Sequence, residues 1–246
     1  MPKANTKKGV NMLRIKDLTV FAGDRKILQN VNLSIDRGKR TILMGPNGSG
    51  KSTVCKSVMG DSDYTLERGS ITLDEEDVTL LTPDEKAKKG MFMVFQEPED
   101  IDGLNVTRFL RATYSKLKGN VEDFSKRLEA AREEVRLNKD QLSKSLNVTA
   151  SGGEKKKLEI LQMLLFEPKY ALIDEFDSGL DVDSVKKISG IINKSECGFL
   201  IVTHNPAVFK YLNVDEVDVI RDGKIIATGG LDLADKIEKQ GFTWKD

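Results

Sequence analysis

The chain has 246 residues, enough for one large domain, and its 39 basic residues balance 39 acidic ones, so the formal net charge is zero. That balance argues against a nucleic-acid partner, which favours a basic excess, and no apolar run approaches the ~18 residues of a bilayer span. The two cysteines, Cys55 and Cys197, lie outside any ligand-spaced cluster and fit a reducing, cytoplasmic setting.

Residues 1–11 are polar, carry Lys3, Lys7 and Lys8, and read as a flexible tail ahead of a single domain over 12–246. Residues 12–20 alternate apolar and polar positions, and 26–35 follow as a second strand after a turn at Gly23-Asp24, which predicts an antiparallel β lobe. A strand at 40–44 runs into a glycine-rich loop, and 51–59 has helical character. A short strand at 70–73 leads to a turn at Asp74-Glu75-Glu76-Asp77. Thr82-Pro83-Asp84-Glu85 has the composition of a helix start, Gly90 stops that helix, and 92–95 is the next strand. The charged helical stretches 106–117 and 121–137 predict a helical lobe, about 98–155, inserted into the domain. A helix at 153–166, a strand at 170–173, a helix at 182–193 and a strand at 198–202 follow. The chain closes with a hairpin over 217–228 around Asp222-Gly223 and a helix at 234–239. Strands alternating with helices predict an α/β fold with a mainly parallel sheet.

Gly45-Pro46-Asn47-Gly48-Ser49-Gly50-Lys51-Ser52 fits G-x-x-x-x-G-K-[ST] between a strand and a helix. Its glycines let backbone N–H groups turn towards phosphate oxygens, and the helix start adds free donors. Lys51 has the reach for β- and γ-phosphates, the Ser52 hydroxyl suits Mg2+, and Thr53 falls near the α-phosphate. Further on, the apolar strand at 170–173 ends in Asp174 and Glu175. Ligands of open α/β sheets gather at such strand ends. Asp174 suits Mg2+ there, and Glu175 suits the proton of an attacking water.

Gln96 ends the strand between these motifs, Ser151-Gly152-Gly153-Glu154 opens a helix, Ser178-Gly179-Leu180-Asp181 follows Glu175, and His204 ends the next strand. This order resembles the ATP-binding cassette (ABC) family across nearly the whole chain. The resemblance implies an α/β ABC-type nucleotide-binding domain: a RecA-like, mainly parallel core sheet, an antiparallel β lobe and an inserted helical lobe. It implies an ATPase using ATP and Mg2+, with Gln96 sensing metal and water and His204 touching the γ-phosphate. It also implies that Ser151, Gly152, Gly153 and Asp181 act in trans, on ATP held by a second copy of the chain.

Within the family the chain is similar to the SufC branch. Glu175-Phe176-Asp177-Ser178-Gly179-Leu180-Asp181 is close to E-T-D-S-G-L-D, whereas transport ATPases usually continue as P-T-S-x-L-D. The run from Glu154 through Lys155-Lys156-Lys157-Leu158-Glu159, the segment Gln96-Glu97-Pro98-Glu99-Asp100-Ile101-Asp102-Gly103 and the ending Gly241-Phe242-Thr243-Trp244 follow that branch too. Ala150 and Phe176 depart from it, and the adenine-stacking aromatic of many cassettes falls at Ala22, one residue from Phe21. The branch implies SufB/SufD-like scaffold partners in iron–sulfur cluster assembly, docked on the helical lobe. The alternative is the ATPase subunit of an ABC membrane transporter.

Overall fold

The computed structural model describes residues 11–242. Most of the expected tail, and Thr243 and Trp244 of the C-terminal segment, lie outside the described residues.

Strands β1 (Met12–Ala22) and β2 (Arg25–Asp36) pair antiparallel, turning at Gly23 with φ +57°, as their alternation predicts. β3 (Arg40–Met44) leads to helix α1 (Lys51–Met59). β4 (Thr65–Leu73) and β5 (Glu76–Asp77) complete a four-stranded sheet in the order β2-β1-β4-β5. β4 starts five residues earlier than its pattern suggests, at Thr65 rather than at 70. A register shift opposite β1 interrupts the alternation, and Gly69, at φ +113°, fills a place where a Cβ would sit 2.7 Å from the Lys16 carbonyl.

Helix α2 (Pro83–Lys89) has the expected proline start, a Thr82–Glu85 capping box and a left-handed stop at Gly90. After β6 (Met91–Val94) comes β7 (Ile101–Asn105), then α3 (Val106–Lys118), α4 (Phe124–Val135), β8 (Ser145–Leu146) and α5 (Gly152–Phe166). The β7–β8 ribbon is an addition to the helical lobe that the sequence does not announce, because Asp102-Gly103 breaks alternation and the partner strand has two residues. β9 (Tyr170–Asp174), α6 (Val182–Lys194), β10 (Gly198–Val202), the hairpin β11 (Glu216–Arg221) with β12 (Lys224–Gly229), and α7 (Leu231–Gln240) finish the chain.

The main sheet runs β12-β11-β3-β10-β9-β6, parallel except for the edge strand β12. Period-two alternation divides its side chains between two cores. Ile42, Ile173, Ile201 and Val219 face one way, into the core shared with α3 to α7. Leu43, Leu172, Leu200 and Val202 face the other, onto α1 and the antiparallel sheet. Covering on both faces explains why β3, β9 and β10 are almost unbroken apolar runs. It also brings the carboxyl ends of β3, β6, β9 and β10 together along one edge, and every catalytic candidate follows or ends one of those strands.

Candidate nucleotide site

The loop 45–50 joins β3 to α1, and neighbouring elements approach too closely for any residue but glycine at two of its positions. A Cβ on Gly45 would lie 2.2 Å from the Ile220 carbonyl, and Gly50, at φ +106°, would meet Leu28 Cδ2 at 2.7 Å. Both clashes come from neighbouring elements: β11 and β2 form the wall behind the loop. The hairpin tip closes it further, since Gly223 N–H donates to the Ser49 carbonyl at 3.0 Å and Gln29 N–H donates to the Gly223 carbonyl at 2.9 Å. Gly50 caps α1 without a side-chain hydrogen bond, so the first-turn amides face the loop without a side-chain cap. Lys51 is buried and its Nζ donates to the carbonyls of Gly45 and Pro46, each at 2.9 Å. Burial lowers its pKa, while the carboxylates of Glu175 and Asp174 pull it back up.

Asp174, at the end of β9, is buried, and neither of its carboxylate oxygens has a hydrogen-bonding partner. Burial raises its pKa, and the Ser52 hydroxyl beside it pulls the other way. A buried, unpartnered carboxylate next to a hydroxyl at a phosphate loop has the donor chemistry that a hard divalent cation takes. Glu175, one residue on, has φ +51° and is pinned by its own N–H to the Val202 carbonyl at 3.0 Å. That turn aims its carboxylate at two other strand ends. Gln96 Nε2 donates to Oε2 at 2.8 Å, and His204 Nδ1 lies 3.0 Å from Oε1. Residues far apart in sequence thus meet around one carboxylate.

Ser151-Gly152-Gly153, the signature that opens α5, forms a separate feature. Ser151 caps α5, accepting from Glu154 N–H at 3.3 Å, while Glu154 Oε2 accepts from the Ser151 N–H and hydroxyl. Those bonds to Ser151 lower the Glu154 pKa. Gln141, in a short turn after α4, holds the other Glu154 oxygen at 2.7 Å. Asp181 caps α6 by accepting from Ser184 N–H at 2.7 Å, which lowers its own pKa. Among the described residues no hydrogen bond or ion pair joins 151–153 or Asp181 to the loop 45–52. Phe176 is fully buried in the helical-face core. Phe21 has Lys26 Nζ 5.1 Å over its ring, so one face of that aromatic is already covered.

The family profile "ABC transporter" matches residues 28–178. The chain belongs to the ABC transporter family. A Bacillus subtilis (strain 168) protein named "Vegetative protein 296" is 38% identical over 94% of this chain and 92% of its own length. A "Probable ATP-dependent transporter" of Antithamnion sp. is 40% identical over 95% and 97%. Among solved structures, an ATP-binding cassette dimer in a post-hydrolysis state with ADP and phosphate superposes with a TM-score of 0.76, at 24% identity, over 89% of this chain and 98% of that one. This cassette is an ABC-type ATPase subunit, and its parallel sheet packed against an antiparallel one is the architecture of the ABC nucleotide-binding domain.

Two parts of the cassette were not visible as site residues in the sequence. Lys156 and Glu159 are buried charges on α5, detectable only as an i, i+3 pair beside Leu158, Ile160 and Leu161. A groove of about 360 Å³ lies between α2, β6, α3 and α5, floored by Phe92, Phe109, Leu117 and Phe166. The Phe92 and Phe166 rings meet edge-on at 6.2 Å. No helix among the described residues is long and apolar enough to cross a membrane.

Proposed function

We propose that this cassette hydrolyses Mg2+-ATP as half of a two-cassette dimer and transmits that cycle, in the cytoplasm, to SufB/SufD-like scaffold proteins that build iron–sulfur clusters. The hydrolytic part rests on one observation: the Glu175 carboxylate, held by Gln96 and His204, stands next to the unpartnered Asp174. Asp174 and Ser52, with Gln96, would hold Mg2+, which supplies charge neutralisation at the phosphates when bound. The chain's own groups do the rest. Amides of 45–53 cradle the phosphates, and Lys51 exchanges the Gly45 and Pro46 carbonyls for phosphate oxygens. Glu175 takes the proton of the attacking water while His204 reaches the γ-phosphate.

The dimer supplies Ser151, Gly152, Gly153 and Asp181 in trans, since helix-start amides bind phosphate wherever they are presented. Binding ATP between the two cassettes favours the closed dimer by linkage, and loss of the γ-phosphate reopens it. The Suf assignment is supported by the Glu175–Asp181 sequence and by the charged α5 run. Both cysteines are buried, which suits a cluster held on other chains. The apolar groove beside the helical lobe offers the scaffold a seat.

The names of relatives favour a second reading, the ATPase subunit of a membrane transporter. A pull-down from native extract separates the two. Soluble SufB/SufD-like chains are the expected catch. Integral membrane subunits without them would replace the first reading by the second.

A further inference from the structure

The β6–β9 ladder ends at the Val94–Ile173 pair, so the Phe95 peptide has no strand neighbour to bond there. Two buried side chains of α5 take it instead. Glu159 Oε1 accepts from Phe95 N–H at 2.8 Å, and Lys156 Nζ donates to the Phe95 carbonyl. Lys156 also reaches the Asp174 carbonyl at 3.4 Å. The two charges lie 3.6 Å apart, and Glu159 Oε2 has no hydrogen-bonding partner. A buried ion pair with an unsatisfied oxygen contributes little to stability compared with apolar packing of the same volume. Its distinctive effect is geometric: it clamps the peptide immediately before Gln96 onto the helix that begins with Ser151-Gly152-Gly153.

We propose that Glu159 is a positioning residue for hydrolysis. By accepting from the Phe95 N–H it fixes where Gln96 leaves β6, and so fixes the Gln96 amide on Glu175. One consequence is that α5 and the Gln96 segment move as one body. A shift of the signature helix when a second copy closes on it is delivered to Gln96 and Glu175 of the same chain. This inference rests on Gln96 and Glu175 acting in hydrolysis as proposed above.

Two substitutions in the full-length chain separate reach from charge. Glu159→Asp keeps the charge and withdraws the acceptor by one methylene, and Glu159→Gln keeps the acceptor and removes the charge. Phosphate release by Glu159→Asp is expected to fall roughly tenfold, less than the roughly hundredfold that a 1 Å misplacement can cost, with fluorescent ATP-analogue binding unchanged. Glu159→Gln is expected to stay within about threefold of the unaltered chain, because the acceptor remains. In a Gln96→Ala background Glu159→Asp is expected to add less than about twofold, because its route of action is gone. Equal losses with and without Gln96, or a loss in Glu159→Gln with none in Glu159→Asp, overturn the proposal. Where Glu159→Asp does not fold by circular dichroism, Glu159→Met runs the same cycle and is read the same way. An unaltered chain that releases no phosphate indicts the hydrolytic reading itself, which that control reports separately.

Discussion

The phosphate loop and the Glu175 cluster occupy the same edge of one sheet but are assembled in opposite ways. The loop is one continuous segment whose donors are main-chain amides, and its shape depends on glycines packed against β2 and β11. The cluster is three side chains from the ends of β6, β9 and β10, joined only by the strand order. Binding groups can be written into a single stretch of chain. A carboxylate proposed to act as a base is positioned from several directions, and here it takes two partners.

The sharpest way to test that division is Glu175→Gln. It is expected to slow phosphate release by about 10³-fold, within the range of a lost general base, while trapping an ATP-bound dimer visible by size-exclusion chromatography. Steady-state release at the unaltered rate would remove Glu175 as the base. Lys51→Ala strikes the binding half. We expect it to weaken Mg2+-ATP affinity by about 10²-fold, the loss of a charged hydrogen-bonding group, as measured by calorimetry. Unchanged affinity would mean the loop does not grip the phosphates through Lys51.

A third substitution probes ground outside both regions. Asp218 on β11 is buried, shares one oxygen with the Thr228 hydroxyl, leaves the other unpartnered, and is pushed by burial up to about 6. Its folded pKa exceeds the usual carboxylate value, so the folded state holds the proton more tightly and stability falls as pH rises from about 4 to 6. Asp218→Asn is expected to flatten that slope and add about 2 kcal/mol at pH 7.5, read from urea midpoints, with phosphate release unchanged. A slope as steep as in the unaltered chain would assign the titration elsewhere. The smallest effect is expected at the signature helix: Ser151→Ala removes a cap worth about 1 kcal/mol. If the trans role holds, hydrolysis falls with it while ATP binding to the isolated chain does not.

Legibility followed the same division. Loop 45–52, the acids at 174 and 175 and most strand limits were readable, because each rests on local glycine placement or alternation. Gln96 and His204 could be located only by their order along the chain, since nothing in an isolated glutamine or histidine says that it will meet Glu175. Glu159 and Lys156 gave no signal as a pair that serves β6, because the contact depends on where a strand ladder stops. The β7–β8 ribbon is hidden for a related reason: its pairing is long-range and its strands are too short to show a period.

The hairpin tip at Gly223 bears on how the protein is made. The loop at 45–52 leaves the ribosome well before its rear wall, Ile220 and Gly223, has been made. A nascent chain therefore carries the nucleotide motif long before it has a finished nucleotide seat. A chain cut ahead of that hairpin would keep the motif and lose the wall that shapes it.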